Sequence, residues 1–256
     1  IGGTGDLLDR VEGQDVVTFT GSADTAAKLR ATPNLVKHSV PFNAEADSLN
    51  CAVLAPDVTP DDEEFDLFVK EIAREMTQKA GQKCTAIRRA IVPADRVDAV
   101  AAKLKERLAK TTVGDPRLEN VRMGALASKS QQADVAERVA TLRQGAEVVF
   151  GGGEGFAPVG EGAGEGSFFQ PTLLLARNPQ NHAAHDVEAF GPVSTLMAYD
   201  GLDDALALAA RGQGSLAGTL VTKEAATAAT AIATLAAMHG RLQILDRVAA
   251  PESTGH

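Results

Sequence analysis

Cys84 stands in the pentad Gly81-Gln82-Lys83-Cys84-Thr85 and is one of two thiols in the chain. A reactive thiol must be reachable by substrate and must sit where its thiolate is favoured. The pentad follows a stretch with helical periodicity over residues 61–80 and then a glycine, which puts Cys84 on a loop. Lys83, Arg88 and Arg89 make that neighbourhood basic, a setting that suits a thiolate. The competing reading is a small buried hydrophobe, which describes most free cysteines. Cys51, inside the apolar run Cys51-Ala52-Val53-Leu54, reads as core.

Glu45 follows the apolar run from Leu35 to Val40, expected to be a strand. A carboxylate at the carboxyl end of a parallel strand lies where open α/β sheets bind ligands, and a carboxylate positioned there can act as general base. Taken alone, it reads first as a solvated loop glutamate. Val17-Thr18-Phe19-Thr20-Gly21-Ser22 reads as strand, tight turn and helix start, and backbone N–H groups at such a start can meet an anion or a cofactor. Glu188-Ala189-Phe190-Gly191-Pro192-Val193 sets a rigid Gly-Pro turn before a strand and can present Glu188 and Phe190 to a pocket, or simply pack a phenylalanine. His182 and His185 lie three apart with no matching third ligand nearby, so no metal site is expected.

The rest of the sequence must position these groups. Short apolar runs alternate with helical stretches. Strands are expected at 16–19, 35–40, 51–54, 87–92, 147–150, 168–174, 193–199, 216–221 and 241–246. Helices are expected at 23–30, 61–80, 94–110, 129–143, 202–211 and 223–238. The alternation implies an α/β fold with a parallel sheet covered on both faces. The glycine-rich stretch 151–166 lacks a following Lys-Ser/Thr and opens no helix, so it reads as a surface loop. The opening Gly2-Gly3-Thr4-Gly5 is compatible with the end of a nucleotide-binding turn.

Of the 256 residues, 44% are hydrophobic and 23% charged, which supports a real core of one large or two small domains. Aromatics make up only 4%, so that core must be built from Ala, Val, Leu and Ile. The formal net charge of -9 argues against a nucleic-acid partner, which requires clustered cations. No apolar run approaches the roughly 18 residues of a membrane span. Two thiols without repeated spacing build neither a disulfide framework nor a zinc site, and suit a reducing cytoplasmic setting.

In order along the chain, Phe19-Thr20-Gly21-Ser22, Glu45, Gly81-Gln82-Lys83-Cys84-Thr85, Gly114-Asp115-Pro116, Met123-Gly124-Ala125-Leu126, Phe169-Gln170-Pro171-Thr172 and Glu188 to Val193 resemble the aldehyde dehydrogenase superfamily. The resemblance covers essentially all 256 residues. It implies a parallel-sheet catalytic domain over 49–256, cut short at its C-terminus. It also implies the tail end of a Rossmann-like NAD(P)-binding domain over 1–48. By the same resemblance Cys84 is the nucleophile and Glu45 the general base. Gly21 and Ser22 lie along the NADP or NAD cofactor, Glu188 bonds the nicotinamide ribose, and Phe190 packs beside the ring.

One departure narrows the resemblance. Most members carry Glu-Leu-Gly-Gly-Lys where this chain has Glu45-Ala46-Asp47-Ser48-Leu49, and the spacing of 39 residues from Glu45 to Cys84 is slightly long. With Gln82 to Arg89 and Glu252-Ser253-Thr254-Gly255-His256, these features resemble the ring-cleavage semialdehyde dehydrogenases of aerobic phenylacetate and benzoate degradation, which act on CoA-bound semialdehydes. The implied reaction is oxidation of a free or CoA-linked aldehyde to the acid. A CoA-acylating enzyme and a non-catalytic structural remnant are the alternatives. The family chain is longer, so this sequence reads as an interior fragment of a protein expected to be a homo-oligomer when full length.

Overall fold

The computed structural model describes residues 5–153, 155–253 and 255–256. The opening Gly2-Gly3-Thr4-Gly5 therefore lies outside the described residues except for Gly5. Two compact units divide the chain between Asp47 and Ser48.

The first unit runs β1 (Val17–Thr20), α1 (Ala23–Arg30), α2 (Pro33–Lys37) and β2 (Phe42–Glu45). Its two strands pair in parallel, from Val17 opposite Phe42 to Thr20 opposite Glu45. Ser22 caps α1, its side chain accepting a hydrogen bond from the Thr25 N–H. The strand expected over 35–40 is instead helix α2 followed by a turn. Pro33 opens that helix, where its fixed φ is already helical. Leu35 and Val40 face inward, at 3% and 7% exposure, but the residues between them are exposed, Val36 at 67%, so the run lacks the alternation of a half-buried strand. The true strand, β2, is mostly exposed and carries no apolar pattern to announce it.

The second unit contains β3 (Cys51–Leu54), α3 (Glu63–Thr77), β4 (Arg89–Pro93), α4 (Val97–Ala109), α5 (Lys129–Leu142), β5 (Glu147–Phe150), β6 (Thr172–Ala176), β7 (Val193–Tyr199), α6 (Leu202–Ala210), β8 (Ser215–Val221), α7 (Ala225–Leu235) and β9 (His239–Leu245). These strands form one sheet in the order β5-β6-β7-β4-β3-β8-β9. Every neighbouring pair is parallel except β5 with β6. The expected α/β fold with a mostly parallel sheet is thus present.

Side chains alternate between two cores, as the period of a strand requires. Cys51 and Val53 face one side with Ile91, Leu174 and Met197, packed against Val135 and Val139 of α5, Leu206 of α6 and Leu235 of α7. Ala52 and Leu54 face the other with Val92, Leu173 and Leu196, packed against Phe65, Phe68 and Ile72 of α3 and Val100 and Leu104 of α4. Helices on both faces explain why β3, β4, β6 and β7 are buried throughout. The glycine-rich stretch after β5 is a loop. Gly151 (φ +82°) starts it where a Cβ would come within 2.2 Å of the Pro171 carbonyl oxygen.

Arg89 opens β4 fully buried. Its guanidinium donates to the carbonyls of Leu49 (2.8 Å), Leu208 (2.7 Å) and Ala209 (3.0 Å). The last two lie in the final turn of α6, where a cation complements the helix dipole. The same group lies 3.3 Å from His185 Nδ1, so that nitrogen is the acceptor and Nε2–H donates to the Pro179 carbonyl at 2.9 Å.

Two stability predictions follow from this core. Phe68→Ala empties a fully buried site between α3 and the sheet, and should lower the unfolding free energy by about 3–5 kcal/mol in urea titration. The second concerns acid. Burial pulls His185 down to about 4 from its usual 6.5. The unfolded chain therefore binds this proton near 6.5 while the folded chain resists it until about 4, so stability falls as pH drops through that window. Urea midpoints of His185→Gln should be less pH-dependent there than those of the parent; parallel curves would reject the assignment.

Candidate active site

Cys84 is exposed, on the turn between α3 and β4. The chain reaches it through an unusual backbone: Lys79 (φ +52°), Ala80 (φ +53°) and Gly81 (φ +69°) are consecutive left-handed residues. Each non-glycine residue there costs roughly 1–2 kcal/mol, and such strain persists only where the surroundings over-determine it. Glycine is required at Gly81, because a Cβ would sit 2.1 Å from the Gly191 carbonyl oxygen.

The surroundings act on the loop's carbonyl groups. Asn50 Nδ2, on a fully buried residue, donates to the carbonyls of Cys84 (2.8 Å) and Ala86 (3.1 Å). The Asn50 side-chain oxygen accepts from Ser48 Oγ and the Ala217 N–H, which fixes the amide's orientation. Arg88 Nη2 donates to the carbonyls of Gly81 (2.9 Å) and Lys83 (3.3 Å). Gln82 receives the Ala127 N–H at 2.9 Å.

Arg88 also reaches the second sequence-predicted group of this unit. Its Nε donates to Glu188 Oε1 at 3.0 Å and its Nη1 to the Gly191 carbonyl at 2.9 Å. Both side chains are almost fully enclosed, at 4% and 6% exposure. The other Glu188 oxygen accepts from the Ser48 N–H at 3.0 Å. The Phe190 ring lies with its centroid 5.3 Å from the guanidinium carbon, within cation–π range. Gln131 Nε2 holds the Phe190 carbonyl. Burial lowers the Arg88 guanidinium below its usual range, and the Glu188 charge opposes that effect. The turn leading into Cys84, Glu188 and Phe190 are thus tied into one cluster by Arg88.

The expected basic setting of Cys84 needs correction in part. Lys83 Nζ is held by both oxygens of Glu75 at 2.7 Å. Glu75 is buried, and burial raises its carboxyl above the usual range while Lys83 pulls it back. Arg89 points to α6. Arg88 remains, bonded to the carbonyls of Gly81 and Lys83 just ahead of Cys84.

Gly21, Ser22 and Glu45 belong to the first unit, where Gly21 N–H donates to the Glu45 carbonyl at 3.1 Å. The Glu45 side chain is exposed at the end of β2. The start of α1 already has side-chain acceptors: Ser22 takes the Thr25 N–H and Asp47 takes the Ala23 N–H. Cys51 is buried, with its sulfur 3.6 Å from His239 Nε2. Among the described residues no group of three or more His, Cys, Asp or Glu could hold a metal ion. None of the described helices is long and apolar enough to cross a membrane.

Asn50 and Glu75 were not singled out in the sequence, and Arg88 only as part of a basic neighbourhood. The available signal was a pair of arginines inside the otherwise apolar Ala86 to Val92, since a charge in a buried strand demands partners. Gly81→Ala should cost roughly 1–3 kcal/mol of stability through the clash with Gly191. An unchanged denaturation midpoint would contradict that close approach.

The model of the aldehyde dehydrogenase family matches residues 2–253. The 3,4-dehydroadipyl-CoA semialdehyde dehydrogenase of Aromatoleum evansii is 50% identical over the whole chain, which covers 50% of that protein. The chain therefore spans about half the length of this curated relative. Among solved structures, lactaldehyde dehydrogenase from Escherichia coli aligns with a TM-score of 0.76 and 28% identity over 90% of this chain and 45% of its own. Betaine aldehyde dehydrogenase from Staphylococcus aureus, solved in complex with NAD+, aligns with a TM-score of 0.78 over 90% of this chain and 43% of its own; at 24% identity it speaks for the fold. On the match over residues 2–253, the chain belongs to the aldehyde dehydrogenase family.

Proposed function

We propose that the protein oxidises an aldehyde, most specifically a CoA-linked semialdehyde, to the carboxylic acid with NADP or NAD. The observation that carries this reading is an exposed cysteine on a strained turn whose carbonyls are held by buried side chains. The 50% identity to a semialdehyde dehydrogenase supports the CoA-linked substrate class. The unit ending at Asp47 is read as the last part of the cofactor domain, and the unit from Ser48 as the cysteine-bearing domain. The full-length protein is read as a cytoplasmic homo-oligomer.

The Cys84 thiolate attacks the aldehyde carbon, and the oxyanion that forms needs preorganised donors. The Cys84 N–H would be one of them. A bound nicotinamide supplies the hydride acceptor. A thioester is left on Cys84, and Glu45 activates water to release the acid. A carboxylate that only accepts hydrogen bonds suits ribose hydroxyls, which is the role assigned to Glu188, with Phe190 beside the nicotinamide and Gly21 and Ser22 along the cofactor.

The test uses the full-length protein, with NADH and NADPH formation followed by absorbance on free and CoA-linked semialdehydes. Cys84→Ala should give no pre-steady-state burst. Glu45→Gln should keep the burst and lose steady-state turnover by roughly 100-fold or more. Equal bursts in both variants would sink these roles.

A further inference from the structure

We infer that Arg88 is a positioning residue that couples the nucleophile's turn to the carboxylate proposed to hold the cofactor ribose. The inference rests on the roles assigned above to Cys84 and Glu188.

One buried guanidinium spans both groups. Its Nη2 edge fixes the carbonyls of Gly81 and Lys83, the residues that lead into Cys84. Its Nε and Nη1 fix Glu188 and Gly191. The guanidinium is planar and rigid, so its donors cannot be re-aimed independently. A displacement of Glu188 must therefore either break a bond to a buried cation or move the carbonyls ahead of Cys84. The Phe190 ring over the guanidinium adds a further contact on the same side.

The two cations nearest Arg88 in sequence are engaged elsewhere. Lys83 is occupied by Glu75 and Gln78. Arg89 is committed to Leu49, Leu208 and Ala209. Asn50 holds the carbonyls of Cys84 and Ala86, and its side-chain oxygen accepts from Ser48 Oγ, while the Ser48 N–H donates to the other Glu188 oxygen. This relay through Asn50 and Ser48 gives the turn a second anchor when Arg88 is replaced, while the direct link to Glu188 runs through Arg88.

The experiment is a double-mutant cycle in the full-length protein with Arg88→Gln, Glu188→Gln and the pair. Two quantities are measured: the cofactor dissociation constant and the burst rate constant at saturating cofactor and aldehyde. Arg88→Lys is carried in parallel. It keeps the charge but lacks the fork, and bears the test should Arg88→Gln not fold. Each single variant should weaken cofactor binding and slow the burst by about 10-fold or more. The pair should be little worse than the more impaired single, because both changes cut one link. Arg88→Lys should restore neither quantity. Losses that multiply in the pair, or full rescue by Arg88→Lys, would overturn the coupling and leave Arg88 a general structural cation. If Glu188→Gln leaves cofactor affinity unchanged, the ribose role of Glu188 fails, and the coupling then stands or falls on the burst-rate cycle.

Discussion

A guanidinium enclosed by protein must find an acceptor for each donor it turns inward, because each one left unmet costs about 1–3 kcal/mol and more when the group is charged. Arg88 meets that demand by drawing in carbonyls from Gly81, Lys83 and Gly191 and the carboxylate of Glu188. Buried ion pairs are poor sources of net stability. Their effect is to make alternative arrangements expensive. Three left-handed residues in a row survive here because relaxing them would strand a charge.

The same logic repeats at the adjacent residue on the opposite side of the chain. Arg89 ties the start of β4 to the end of α6 and to Leu49 beside β3. Asn50 joins these anchors, since its own carbonyl accepts from the N–H groups of both arginines. The ends of the central strands are thus stitched by polar groups, while their middles pack through Ala, Val, Leu and Ile. A low-aromatic core fills space well but gives few directional contacts, so directionality at the site comes from hydrogen bonds.

The architecture was legible because its signal is local. The run Val193 to Tyr199 and the helical pattern from Lys129 onward reflect periodicities of two and 3.6 residues that burial enforces. The order of motifs also pointed to Cys84. The misplaced strand at 35–40 shows where that signal ends: the small first unit buries so little that apolar residues do not mark its strand. The clamp around Cys84 was less legible for a different reason. Arg88 meets Glu188 across one hundred positions, and Asn50 meets the Cys84 turn across more than thirty. Local sequence shows that a buried arginine needs a partner without showing which one.

A turn held by its backbone oxygens is largely indifferent to the side chains it displays. Gly81 is constrained by space and Lys83 by its ion pair, but the grip on Cys84 itself is through its carbonyl, which every amino acid possesses. The mount and the chemistry mounted on it are therefore separable. Evolution or design can exchange the thiol for a hydroxyl, a selenol or an inert methyl group and leave the replacement aimed along the same line, which makes this turn a natural chassis for transplanting other nucleophiles.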